Sequence, residues 1–187
     1  MHNRKLLNSE LGRPNLSEYK NLPKLPIVVV LDNVRSQFNI GATFRSSDAF
    51  SVQGVMLCGI CACPPSAEIH KSALGAELSV PWEYFASTSD ALSKLKEEGF
   101  TIISVEQAEH SISLEHLGEK LNASQRGEME KIALVFGNEV FGVSQEVVDM
   151  SDFVVEIPQV GTKHSINVSV SVGVVLWEIF RLNRLTS

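Results

Sequence analysis

Short apolar runs, each too brief for a helix, recur along this chain and alternate with helix-length segments. "IVVVL" (27–31), "VQGVMLCG" (52–59), "FTIISV" (100–105), "KIALVFG" (131–137) and "FVVEIP" (153–158) are continuous rather than alternating. That pattern is expected of strands buried on both faces, as in a parallel sheet covered by helices. The segments between them carry helical signals at 39–50, 66–77 and 144–151. "STSDALSKLKEEG" adds another, with Ser89 as a candidate N-cap and Gly99 as a stop. A short strand is expected at "WEYF" (82–85). Strands alternating with helices across short loops give an α/β domain with a largely parallel sheet. Residues 1–24, rich in proline and basic residues, read as an extension with a short helix near Ser17–Asn21. Residues 25–187 then form one domain, which 187 residues and 44% hydrophobic content suffice to fill.

The C-terminal stretch "SINVSVSVGVVLW" has conflicting periods. Alternation by two favours a strand. A helix from Asn167 to about Leu185 instead aligns Val168, Val172, Val175, Ile179 and Leu182 on one stripe. It places Ser169, Gly173 and Trp177 beside them. Local propensity favours the strand and length the helix; the helix is the reading adopted, partly on the family resemblance described below.

Charge and cysteines narrow the class. The net charge is −6, but residues 1–50 carry seven basic residues against four acidic ones, a net of +3 that leaves −9 for the rest. A polyanion would meet the N-terminal third, although charge alone favours the plainer reading of a mildly basic solvated face. No apolar run is long enough to span a bilayer and no signal peptide is visible, so a soluble cytoplasmic protein is expected. Cys58, Cys61 and Cys63 lack a second ligand cluster. Even with His70 as a fourth ligand they make a poor zinc site, and free thiols are expected, with no metal.

Three segments leave strands with unusual chemistry, and in open parallel sheets ligands bind beyond the carboxyl ends of strands. In "NIGATFR", Asn39 suits an N-cap. Gly41 shares a face with Arg45 and would leave room beside the guanidinium. An ordinary surface arginine paired with Asp48 or Asp32 is the plainer alternative. In "VFGNEVFGVS", Glu139 lies between Gly137 and Gly142, placed either to orient a helix start or to contact a ligand. Neither a P-loop nor a G-x-G-x-x-G fingerprint is present. In "IPQVGTKHSINVS", Ser165 and Asn167 flank a helix start, and no nucleophile elbow surrounds Ser165.

Taken in order, these segments resemble the three motifs of the SpoU/TrmH family of RNA methyltransferases, of the SPOUT class. Asn39-x-Gly41-x-x-x-Arg45 resembles the first, and Phe136-Gly137-x-Glu139-x-x-Gly142 the second. Ile157-Pro158, Gly161 and Ser165-Ile166-Asn167-Val168-Ser169 resemble the third, with Ile166 where leucine is common. The likeness covers roughly residues 26–184.

The resemblance implies a SPOUT α/β-knot fold, with the C-terminal part threaded into a deep trefoil knot that general chain-path rules would not suggest. It implies an S-adenosylmethionine pocket in the knot and a homodimer through the C-terminal helix. Two subunits would then build each active site. The implied reaction is methyl transfer to a ribose 2′-hydroxyl of RNA. Arg45 would be central, with Asn39, Glu139, Ser165 and Asn167 positioning it, the RNA or the loops. Because a guanidinium hardly ever gives up its proton, phosphate anchoring and charge stabilisation are the expected roles of Arg45. The cofactor would lie against Ser104, Val105 and Glu106, then Gly137, then Ile157, Ser165 and Ile166. Transfer RNA is favoured over ribosomal RNA, because many relatives that act on large RNAs carry an added N-terminal domain. The alternatives are a ribosomal RNA 2′-O-methyltransferase, a non-catalytic RNA-binding module of the same fold, and a dinucleotide-binding oxidoreductase. The last lacks its glycine fingerprint after the first strand.

Overall fold

The computed structural model describes residues 3–121 and 130–185. The apolar runs become strands β1 (Leu25–Asp32), β2 (Val52–Cys58), β3 (Trp82–Phe85), β4 (Thr101–Val105), β5 (Ile112–Ser113), β6 (Ile132–Phe136) and β7 (Phe153–Glu156). They form one sheet in the order β3-β2-β1-β6-β4-β7-β5, with every neighbouring pair parallel. The sequence did not signal β5, which is two residues long.

The helices are α1 (Leu16–Asn21), α2 (Gln37–Ala49), α3 (Ala67–Ala73), α4 (Ala76–Ser79), α5 (Thr88–Glu97), α6 (Leu117–Leu121), α7 (Gln145–Met150) and α8 (Val168–Leu185). Alternate residues of the central strands feed two cores. Ile27, Val29 and Leu31 of β1 pack with Ile40, Phe44, Ile69, Val172, Val175 and Ile179 under α2, α3 and α8. Val28 and Val30 pack with Ala91, Leu92, Leu95 and Val147 under α5 and α7. Burial on both faces is why β1, β4 and β6 read as unbroken apolar runs. Each fully buried Leu, Ile or Phe contributes roughly 1.5–3 kcal/mol of transfer free energy.

The C-terminal stretch is helical. Val172, Val175 and Leu176 of α8 are fully buried, and Asn167 caps the helix by accepting from the Ser169 and Val170 main-chain N–H groups, at 2.9 and 3.4 Å. Tertiary burial of the 3.6-residue stripe overrides the strand propensity of the valines.

Two local expectations are corrected. The helix expected over 66–77 breaks into α3 and α4, because Leu74 (φ 53°) and Gly75 (φ 92°) take left-handed conformations that no helix continues through. The N-cap of α5 is Ser87, whose hydroxyl accepts from the Asp90 N–H, so Ser89 lies inside the helix.

Cys58, Cys61 and Cys63 are free thiols. Burial pushes Cys58 up to about 12 and Cys61 up to about 11. His70 contacts the Glu77 carboxylate through Nδ1 at 2.5 Å. Among the described residues, no helix is long and apolar enough to cross a membrane.

Candidate active site

Strand order reverses direction beside β1. The chain leaves β1 towards β2 and β3 on one side and leaves β6 towards β7 on the other. Such a switch point opens a crevice beyond the strand ends. All three motif loops begin there, after β1, β6 and β7.

Glu139 joins the first loop to the second. Its carboxylate accepts from the main-chain N–H groups of Arg35 (3.1 Å) and Ser36 (3.0 Å) and from Asn39 Nδ2 (3.3 Å). Of the two roles open for Glu139, the contacts show it orienting a helix start. Burial pushes its carboxyl upward, but donors on its own main chain, Ser36, Arg35 and Asn39 outweigh that, and the carboxyl sits below its ordinary value.

Asn39 is not the N-cap of α2. Ser36 fills that position by accepting from the Asn39 N–H at 3.3 Å. Asn39 is buried in the first turn, where its side-chain oxygen accepts from Asn167 Nδ2 at 3.1 Å. One continuous chain, Glu139–Asn39–Asn167, thus ties the three loops together.

The second loop is closed on itself and clamped from three sides. Asn138 and Gly142 exchange main-chain hydrogen bonds of 2.9 and 2.8 Å. Asn138 Nδ2 donates to the Asn33 carbonyl at 2.7 Å. Asp32, almost fully buried, accepts from Ser144 N (3.0 Å), Thr88 Oγ1 (2.6 Å) and Asn33 Nδ2 (2.8 Å). Glu106 Oε2 accepts from Val143 N at 2.9 Å.

The glycines have different reasons from those expected. A Cβ on Gly137 would lie 2.0 Å from the Gly142 carbonyl carbon, so the closed turn excludes it before any ligand does. A Cβ on Gly41 would meet Ser72 Oγ at 2.1 Å and the Ile69 carbonyl at 2.3 Å. The space beside Gly41 is therefore filled by α3 and is not left open beside Arg45.

Between the second and third loops lies a cavity of about 420 Å³. Val105, Glu106, Gly137, Ile157, Ser165 and Ile166 of the expected cofactor set line it, as do Glu139 and Asn167. Ser104 does not reach it. Ser104 is fully buried and its hydroxyl bonds the Ser151 hydroxyl at 2.7 Å, so the strand turns it away from the cavity. Gln107, which the sequence reading passed over, does line it and donates to the His164 carbonyl at 2.7 Å.

Arg45 is exposed on α2 and is not among the residues lining that cavity. It borders a neighbouring hollow of about 510 Å³ with Phe38, Lys71 and Ser169. Among the described residues it makes no hydrogen bond or ion pair. The two acids suggested as its partners are engaged elsewhere, Asp48 by the Ser79 hydroxyl at 2.5 Å and Asp32 as above.

The family model described as SpoU rRNA methylase matches residues 26–177, a span that holds all three loops and the whole sheet but for Leu25, the first residue of β1. The chain belongs to the SpoU family. It is 33% identical over 162 residues to the 23S rRNA (guanosine-2′-O-)-methyltransferase RlmB of Neisseria meningitidis serogroup B, covering 87% of this chain and 61% of that protein. Among solved structures, the A. aeolicus TrmH/SpoU tRNA modifying enzyme superposes with a TM-score of 0.76 at 26% identity, covering 91% of this chain and 81% of that one. An AdoMet-bound rRNA methyltransferase from Sinorhizobium meliloti shares the fold at TM-score 0.73 and 24% identity, covering 87% of this chain and 59% of that one. The chain spans between 61% and 63% of the length of the curated relatives it matches. The fold is thus the SpoU type, a parallel sheet flanked by helices with the motif loops gathered at one sheet end.

Proposed function

We propose that this SpoU-family chain transfers a methyl group from S-adenosylmethionine to a ribose 2′-hydroxyl of RNA, with transfer RNA as the first substrate class. The observation that carries this reading is the Glu139–Asn39–Asn167 chain, which ties the start of the helix bearing Arg45 to the two loops that wall one cavity. The cavity's 420 Å³ falls within the range for small-molecule sites. Its lining mixes apolar Val105, Ile157 and Ile166 with the exposed Ser165 hydroxyl, chemistry suited to an adenosine flanked by a charged tail. When bound, the cofactor would supply a methyl carbon already activated by its sulfonium.

Arg45 supports the RNA side. An exposed guanidinium without a protein partner among the described residues, on a hollow that Lys71 and the half-buried Ser169 also border, can anchor a phosphate and stabilise negative charge developing on an attacking oxygen. Glu139 and Asn39 hold the start of the helix that carries Arg45, and so set where the guanidinium projects.

We further read α8 as the contact face of a homodimer. Val170, Val174 and Trp177 are exposed on it, and Trp177 packs with Phe50 and Phe180 at ring-centroid distances of 6.4 and 6.1 Å. A second subunit there would bring its own groups to the hollow that Arg45 borders. Threading of the C-terminal segment into a knot belongs to the same reading. It is supported by the insertion of β6 between β1 and β4 and of β7 between β4 and β5.

Ribosomal RNA is the second reading, favoured by the 33% identity to RlmB. The test is incorporation of labelled methyl from S-adenosylmethionine into transfer and ribosomal RNA taken from cells lacking this protein, with the methylated riboses mapped. Label on a transfer RNA 2′-oxygen is expected. Label confined to ribosomal RNA would select the second reading. Bound cofactor with no label in either RNA would favour a non-catalytic module.

A further inference from the structure

We infer that Glu106 and Gln107, adjacent at the tip of β4, act together as a two-way clasp that sets the width of the cofactor cavity. This rests on the reading of that cavity as the S-adenosylmethionine site. Glu106 reaches one wall. Its Oε2 accepts from Val143 N at 2.9 Å while its Oε1 accepts from the Gln107 N–H at 2.8 Å. Both oxygens are therefore engaged by main-chain donors, and Glu106 acts by shaping the loop instead of reaching for the ligand.

The fit is tight. Gly142 is left-handed at φ 69°, and a Cβ there would lie 2.1 Å from Glu106 Oε2. The second loop thus carries glycine at the point where the clasp presses closest.

Gln107 reaches the other wall. Its Nε2 donates to the His164 carbonyl at 2.7 Å. Among the described residues this is the hydrogen bond that ties residues 158–166 to the rest of the fold. Residues 158–165 are all exposed, so little apolar packing holds them. The Glu106 N–H donates to the Val155 carbonyl at 3.0 Å, which anchors the clasp to the sheet. The two neighbouring side chains bond opposite walls, Glu106 the Val143 N–H and Gln107 the His164 carbonyl. Glu106 and Gln107 are positioning residues: the second sets the third loop at the distance a bound cofactor requires.

The experiment uses the full chain carrying Gln107→Ala or Glu106→Ala beside the wild type. Three quantities are read: the Kd for S-adenosylmethionine by calorimetry, the rate of tryptic cutting after Lys163 without ligand, and hydrogen exchange at the Val143 amide. Losing one neutral hydrogen bond at an exposed loop should leave the Tm of Gln107→Ala near that of the wild type. Its Kd should rise about five- to tenfold, and cutting after Lys163 should accelerate severalfold. In turnover the KM for S-adenosylmethionine should rise more than kcat falls. Glu106→Ala should speed exchange at Val143. A Gln107→Ala variant that binds S-adenosylmethionine as tightly as the wild type would overturn the clasp, whatever its proteolysis shows. Unchanged cutting after Lys163 together with unchanged exchange at Val143 would also overturn it. If the wild type itself fails to bind S-adenosylmethionine, the functional reading fails, and the cutting and exchange results alone decide the clasp.

Discussion

The loop after β6 and the loop after β7 face each other across the same cavity, yet they are held in different ways. The first is short and cross-braced. Carboxylates from β1 (Asp32) and from the β4 tip (Glu106) grip its main chain, and its own Glu139 grips the start of α2. The second runs exposed from Pro158 to Ser165 and is fixed at its far end by Asn167 and α8. Carboxylate acceptors facing main-chain donors, with Asp32 buried among them, give a wall whose geometry is decided before any ligand arrives. An exposed segment with few bonds opens at low free-energy cost. The braced wall fits the job of aiming groups, and the loose wall fits the job of admitting a cofactor and closing over it.

The sharpest test of the division lies on the braced side. Arg45→Ala should lower methyl transfer by about 10²–10³-fold while S-adenosylmethionine binding survives, because the guanidinium stands outside the cavity. Measuring kcat and Kd on the same preparation checks both halves. Loss of cofactor binding in this variant would move Arg45 into the other site.

Next in size, Gly137→Ala should cost about 1–3 kcal/mol of stability, since the new methyl meets main chain that cannot move aside. Cofactor affinity should fall with it, and denaturant unfolding beside calorimetry reads both. A single substitution at Gly161, where an added Cβ meets nothing within 4 Å, should shift Tm by only a degree or two. Equal effects at the two glycines would erase the contrast between the walls.

A smaller effect is expected from pH. The folded carboxyl of Glu139 lies below its unfolded value. Its stabilisation is therefore complete above the ordinary carboxylate range and is lost as pH falls through the lowered folded value. Glu139→Gln should flatten that part of the Tm-versus-pH curve below about pH 5, and a parallel acid limb in both proteins would show that Glu139 contributes little to it. A serine hydroxyl does not titrate in this range, so Ser165→Ala in the exposed third loop should leave the acid limb unchanged.

Much of this could be read from the residues. Continuous apolar runs marked the strands because both sheet faces are covered, and the stripe on α8 outweighed its strand-like alternation. The motif loops were found because glycines and polar side chains after a buried strand are conspicuous. What escaped notice depended on long-range contact. Asn39 looked like a cap from its local sequence, but its partners Glu139 and Asn167 lie 100 and 128 residues away. Gly41 and Gly137 looked like ligand-facing glycines, yet what they accommodate is α3 and the chain's own turn. Ser104 and Gln107 differ only in where β4 ends, and that is set by its pairing with β7, which stops at Val105 opposite Val155. Glutamine carries no signature chemistry, so nothing local marked Gln107.

The central claim is that the second and third loops and the tip of β4 form one cofactor cavity, with the first loop tied to them through Asn39. A titration of the labelled protein with S-adenosylmethionine, followed through its backbone amide resonances, tests it most directly. Shifts concentrated at Val105–Gln107, Gly137–Gly142 and Ile157–Ile166 are predicted. Shifts centred instead on the hollow lined by Pro64, His70 and Trp82, or no shifts at saturating ligand, would contradict it.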